Sequence, residues 1–263
     1  MYLPIDPQPT NAQGWLAAAR AVQARGGEAH NVIIDIADPL AESDRDAAII
    51  RAVDAFLRAH HVNSLSSVAN TIFPQATLQR HGPVDFYRVY REQLLPRMKK
   101  MTRDWGRYFD RLTEWDKVQG KQITTINPLD DLVHFLREQV RSDRTYRNVY
   151  EMTVFDPARD AGKISNRQCL SFLSFKLTED KCLMLTVMYR NHMYIARGFG
   201  NFIGLGRLQK FVADQSGAGM GPLTCISTHA EIDHGRVNRD GKIAGWTGAE
   251  AKSLIEACRA FNL

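Results

Sequence analysis

The second half of the chain constrains the fold most, because β-patterned segments crowd together there. Cys169 to Leu177 and Cys182 to Tyr189 are rich in Leu, Phe, Val and Tyr, and only Thr178-Glu-Asp-Lys181 separates them. Strands joined by so short a turn pair antiparallel. Asn148 to Val154 and Leu223 to Glu231 read as further strands, and a long helix from Asn201 to Gln215 stops at Ser216-Gly-Ala-Gly219. The first half is mainly helical. Ala12 to Arg25 carries Trp15, Leu16, Ala19 and Val22 at helical spacing, and Arg45 to His60 does so through Ile49, Val53, Phe56 and Leu57. Phe86 to Met98 and Pro128 to Val140 read as two more helices, and Asn31 to Ile36 as a strand. Strands in sequence with helices grouped elsewhere imply an α+β fold, a mixed or antiparallel sheet packed with helices. No repeat or linker divides the chain, so a single domain over 1–263 is expected.

Composition narrows the function classes. No apolar run approaches the roughly 18 residues that cross a bilayer, and Met1-Tyr-Leu-Pro-Ile-Asp-Pro7 lacks the pattern of a signal peptide. A cytoplasmic protein without a membrane partner is expected. The net charge of +5 suits an anionic ligand. Its basic residues are scattered, as in Arg88, Arg91, Arg97, Lys99 and Lys100, which reads as a solvated helix face and not as a nucleic-acid stripe. Cys169, Cys182, Cys225 and Cys258 form no Cys-x-x-Cys pair, so neither a disulfide framework nor a structural zinc site is expected, and no metal is assigned. A cysteine taken alone is most often a small buried hydrophobe.

Three familiar motifs fail. Gly198-Phe-Gly200-Asn-Phe-Ile-Gly204 is one residue too long for a dinucleotide fingerprint. His229-Ala-Glu231 matches half of a zinc deaminase signature, but the thiolate half is absent. His229, Glu231, Asp233 and His234 could still bind a metal by themselves, but a polar strand end is the commoner explanation. No phosphate-binding loop or nucleophile elbow occurs.

One constellation remains, running from Cys169 to Glu231. A cysteine opens an apolar strand, Tyr189-Arg190-Asn191 ends its partner, Asn201 follows Arg190 by eleven residues at the mouth of a long helix, and a last strand carries His229. This arrangement resembles the core of the thymidylate synthase superfamily, whose members show a cysteine motif, Tyr-Gln-Arg-Ser, an asparagine eleven residues on, and a histidine-bearing strand. Upstream, Thr145-Tyr-Arg147 and Val154-Phe-Asp-Pro157 resemble the family's paired arginines and Trp-Asn-Pro. Asp104-Trp-Gly-Arg-Tyr-Phe109 resembles the segment that packs beneath the substrate. The likeness spans roughly Gly26 to Ile232 and is clearest from Asp143 onward.

The resemblance implies a thymidylate synthase-like fold and one-carbon transfer (methyl or hydroxymethyl) to C5 of a pyrimidine nucleotide monophosphate. Cys169 would be the nucleophile that adds at C6. Arg190 would bind the phosphate and favour the thiolate, Asn201 would hold the pyrimidine edge, and His229 would reach the sugar. Arg147 or Arg144 would come from the partner of a homodimer. Ser174 stands where the family has glutamine, and Glu231 where it has the tyrosine near the sugar; both are substrate-side candidates. The family's donor is 5,10-methylenetetrahydrofolate. Several family groups are replaced: Leu170 follows the cysteine, Met193 stands for the pterin-binding aspartate, and Ser64-Leu-Ser-Ser-Val-Ala-Asn70 lies where a proton-transfer glutamate would be. The losses cluster on the folate side. A catalytically weak nucleotide-binding or scaffold member of the same fold is the alternative reading. The residues taken singly also have plainer ones, with Arg190 a surface charge and Asn201 a helix cap.

Overall fold

The computed structural model describes residues 2–101, 108–142, 146–163, 167–237 and 243–261. The chain opens with β1 (Leu3–Pro4), α1 (Asn11–Gln23), β2 (Glu28–Ile36), α2 (Asp44–Ala59), α3 (Leu65–Ile72), α4 (Gln75–Val89), α5 (Leu95–Met101) and α6 (Tyr108–Thr113). A small hairpin of β3 (Trp115–Gln119) and β4 (Gln122–Ile126) precedes α7 (Pro128–Arg141). Then come β5 (Glu151–Thr153), α8 (Pro157–Asp160), β6 (Leu170–Leu177), β7 (Cys182–Tyr189) and β8 (His192–Met193). The chain continues through α9 (Phe199–Ser216), β9 (Gly219–Glu231), β10 (Arg236–Val237), β11 (Ile243–Ala244) and α10 (Gly248–Arg259). The expected α+β class is what the chain adopts.

One mixed sheet runs in the order β1-β2-β9-β7-β6-β5, with β8 also pairing β9. β6 and β7 form the expected antiparallel hairpin. β9 pairs β2 antiparallel and β7 parallel. A parallel neighbour needs a crossover, and α9 supplies it. A π-helical turn at Tyr194–Gly198 leads into α9. Asp233 caps that turn, accepting the Ile195 amide at 2.7 Å and the Ala196 amide at 3.1 Å. The long helix therefore starts two residues before Asn201, and Asn201 is not its cap.

Glycines let α9 sit close to its neighbours. A Cβ on Gly200 would lie 2.6 Å from the Val68 Cβ, and one on Gly204 would lie 2.8 Å from the Ala69 carbonyl oxygen. The motif that mimics a dinucleotide fingerprint is thus a packing seam between α9 and α3. Below it, Trp15 stacks on Phe199 at 5.2 Å, and Phe73, Phe86, Phe109 and Phe211 form a buried aromatic cluster. A buried bidentate pair between Arg111 and Asp160 fixes α6 to α8, with Asp160 held below the usual carboxylate range by the guanidinium. Val154-Phe-Asp-Pro157 serves this joint, since Asp156 caps α8 through the Ala158 and Arg159 amides.

Gly204→Ala forces a methyl group against α3 backbone that cannot rotate away. It is expected to destabilise the fold by about 1–3 kcal/mol, read as a lower urea midpoint. An unchanged midpoint would mean that the seam has slack.

Candidate functional site

Cys169 lies half-buried at the entrance to β6, with its carbonyl accepting the Arg190 amide at 2.9 Å. Side chains from separate elements converge on its thiol. Arg190 follows β7, Arg197 lies in the π-helical turn, and Glu231 ends β9. Burial pushes the thiol pKa up most strongly; Arg190 and Arg197 pull it down, and Glu231 pushes it up again. The net direction is upward. Arg190 pulls toward the thiolate, but desolvation outweighs it and the anion is disfavoured. Tyr108 and Tyr189 are close enough to feel the charge of Cys169. Burial raises the phenol pKa of Tyr108, against hydrogen bonds from the Leu170 and Cys169 amides. The Tyr189 hydroxyl is buried without a hydrogen-bond partner among the described residues.

Arg190 is not a free phosphate ligand. Its Nε donates to the Gln168 carbonyl at 3.0 Å and Nη2 to the Arg167 carbonyl at 3.2 Å. Those bonds clamp the backbone that presents Cys169. Arg197, by contrast, makes no hydrogen bond or ion pair among the described residues. The sequence reading assigned it no role.

Asn201 is buried in a polar relay. Its Nδ2 lies 3.1 Å from His192 Nε2, and His192 Nδ1 lies 2.9 Å from Ser227 Oγ. His192 stacks on Tyr189 at 4.1 Å, and burial drives its pKa down to about 3. A neutral ring with its proton on Nδ1 satisfies both bonds, donating to Ser227 and accepting from Asn201. The second Asn201 N–H and its carbonyl oxygen take no partner among the described residues. That donor and acceptor are what a pyrimidine edge requires.

His229 and Glu231 meet through Asn191, whose Oδ1 lies 2.5 Å from His229 Nδ1 and whose Nδ2 lies 3.4 Å from Glu231 Oε1. His229 Nε2 faces Glu28 at 2.7 Å. Asn191 and Glu28 were not singled out by the sequence; only the strand register brings Glu28 opposite Glu231. Ser174 sits further along β6 with its Oγ 3.4 Å from Glu151, so it joins that pair and not the Cys169 group. Arg147 is exposed before β5 and has no hydrogen bond or ion pair among the described residues. Arg144 and the Asp104–Arg107 part of the upstream motif lie outside the described residues. A separate cleft of about 570 Å³ opens between α1, α2, α3 and α9, lined by Arg51, Arg58 and Arg207 among others. It shares no lining residue with the Cys169 group.

Two predictions follow the electrostatics. His192 stays neutral in the fold down to about pH 3 but takes a proton below about 6.5 once unfolded. Stability is therefore lost as pH falls from 6.5 toward 3, by on the order of 2 kcal/mol at pH 5. Urea melts at pH 7.5 and 5.0 should show this loss, and His192→Gln should show less of it. Equal pH sensitivity in the variant would exclude His192 as the source. The Cys169 thiol should react with iodoacetamide with a midpoint above the ordinary cysteine range. Glu231→Gln should lower that midpoint and Arg197→Ala raise it; shifts of opposite sign would overturn the charge assignment.

No family profile matches the chain. It is similar to a protein of Methanococcoides burtonii named "Putative thymidylate synthase", 30% identical over 128 residues, which are 48% of this chain and 52% of that one. Proteins of the same name from Methanosarcina barkeri and Methanosarcina mazei are 26% and 24% identical over 122 and 126 residues. These stretches cover 46% and 48% of this chain and 55% and 57% of theirs, so the chain spans about half the length of the curated relatives it matches. The thermostable thymidylate synthase A of Bacillus subtilis shares the fold, with a TM-score of 0.50 and 11% identity over 94% of this chain and 84% of that one. Sequence similarity to these relatives over about half of the chain, together with a thymidylate synthase fold, supports the thymidylate synthase superfamily.

Proposed function

We propose that the protein adds a one-carbon unit to C5 of a pyrimidine nucleotide monophosphate through a covalent adduct at Cys169. The convergence of Arg190, Arg197, Tyr108 and Glu231 on one half-buried thiol carries this reading. In the first step the Cys169 thiolate bonds to C6, and the C5–C6 π electrons move to the C4 oxygen as an enolate. C5 then attacks a one-carbon electrophile, the C5 proton leaves, and elimination of the thiolate restores the ring. Asn201 has the free donor and acceptor to hold the pyrimidine edge. Arg197 is the cation available for an anionic group, and Arg190 keeps Nη1 uncommitted among the described residues.

The residues fit a folate donor poorly. Met193 offers only a weak thioether acceptor to a pterin N–H, and the nearby Asp233 carboxylate is already engaged by two amides. The residues therefore do not assign 5,10-methylenetetrahydrofolate as the donor: a formaldehyde-level carbon gives the hydroxymethyl product directly, and a methyl product needs a methyl-level donor or an added hydride source.

A homodimer belongs to the same reading. Phe172, Met188, Ile226 and Ile33 are cross-strand neighbours and form an apolar row over β6, β7, β9 and β2. Phe172 and Met188 are 36% and 37% exposed. A second copy would cover this row and could bring Arg147 to its partner's site.

The test is tritium release from C5-labelled dUMP, UMP, dCMP and CMP, with and without methylenetetrahydrofolate. Release from one of them is expected, falling at least about 10³-fold in Cys169→Ala. Nucleotide binding without release from any of the four would replace the enzyme reading with a nucleotide-binding member of the fold.

A further inference from the structure

The outer corner of the sheet, where β2 begins beside the end of β9, adds two residues, Glu28 and His30, that the proposed nucleotide chemistry does not use. The burial pattern of both strands changes phase there. Val32, Ile34 and Ile36 face the core, yet so does Ala29. On β9, Leu223, Cys225 and Ser227 are buried, and so is Ala230. Asn31 makes the shift possible by adopting a left-handed conformation, φ 51°. As a result Glu28 and His30 on β2 project on the same side as His229 and Glu231 on β9, with His30 directly opposite His229.

Hydrogen-bond parity defines the state of His229. A carboxylate only accepts, so the Asn191 amide nitrogen faces Glu231 and its carbonyl oxygen faces the ring. His229 Nδ1 therefore carries a proton. Its Nε2 lies 2.7 Å from a Glu28 carboxylate oxygen, and this contact holds the Glu28 carboxyl below its ordinary range. That pairing engages His229 and Glu28 alone. His30 would remain idle: its ring meets His229 edge-on at 5.2 Å, and it has no hydrogen bond or ion pair among the described residues. A divalent cation engages all three groups.

We propose that Glu28, His30 and His229 form a binding site for a divalent transition metal, with zinc the best fit. Their ligand atoms lie within 4.8 Å of one another. A tetrahedral zinc ion separates its ligands by about 3.4 Å, and Glu28 and His30 are exposed and free to rotate inward. Two imidazoles and one carboxylate match the donor set of open zinc sites, which keep a fourth position for water or a ligand oxygen. Asn191 is the positioning residue. It holds the ring through Nδ1 and leaves Nε2 for the metal, and Glu231 orients Asn191 in turn. The sequence reading assigned no metal because it sought cysteine pairs and ligands close together in sequence. Here β2 and β9 supply ligands about 200 residues apart, as the Glu28–His229 separation of 201 shows.

The test needs no nucleotide, so it stands apart from the transferase reading. Protein stripped with EDTA and desalted is titrated with CoCl₂, followed by its visible d–d absorption, and with ZnCl₂ against a chromophoric chelator. One equivalent of each is expected to bind. His30→Gln and His229→Gln should each weaken zinc binding at least about 10-fold, and Asn191→Ala should weaken it about 10–100-fold. Cys169→Ala should retain full stoichiometry, with no thiolate-to-cobalt band in any variant. Circular dichroism checks folding, and the exposed position of His30 makes its variant the decisive one. Absence of a cobalt spectrum and of zinc competition, or binding that survives His30→Gln, would overturn the site and leave a Glu28–His229 ion pair.

Discussion

The candidate site depends on β9 being paired along both edges. Its antiparallel bond to β2 and its parallel bond to β7 bring three strand ends to one corner of the sheet. The parallel pairing forces a crossover, and α9 with its leading π-helical turn fills that role. Through the crossover Arg197 and Asn201 arrive above the same corner that Arg190 and Glu231 reach from the strands. Removing the β7–β9 ladder would scatter all four. The glycine seam with α3 and the Asp233 cap are the means by which α9 is held at the height this geometry needs.

Much of this was legible in the sequence because it depends on local patterns. The β6–β7 hairpin, α1, α2, α7, α9 and β9 announce themselves through strong apolar periodicity and clear stops. The β3–β4 hairpin does not, because its residues are nearly all exposed and no alternation marks them; the turn at Gly120, φ 62°, is its one local signal. The segment read as lacking a glutamate is helix α3, begun by a Ser64 cap. Pairing also revises single residues. Asn201 looks like a helix cap in sequence, yet its environment is set by His192 and Ser227, which come from β8 and β9. Ser174 stands at a family position but faces Glu151 across β5. Spacing alone does not show which neighbour a strand will take.

The polar residues of the corner form two chains that meet at β9. One is neutral and buried, from Asn201 through His192 to Ser227. The other is charged and half-open, from Glu231 through Asn191 and His229 to Glu28. The first fixes the Asn201 amide through one N–H and leaves its other N–H and its carbonyl oxygen open for recognition. The second brings Glu28, His30 and His229 together at its outer end, which is where the metal proposal arises.

The electrostatics of Cys169 also explain why two arginines stand beside it. A buried thiol is disfavoured as an anion, and Glu231 disfavours it further. A phosphate placed against a single arginine would neutralise the cation on which the thiolate depends, and the nucleophile would weaken as the substrate bound. With two, the work divides. Arg190 already gives Nε and Nη2 to the backbone before Cys169, so its charge is anchored next to the sulfur. Arg197, without such anchors, can turn to an incoming anion while Arg190 keeps the thiolate accessible. In the proposed chemistry the clamped Arg190 keeps the thiolate role that the resemblance implies for it, and Arg197 takes over the anion.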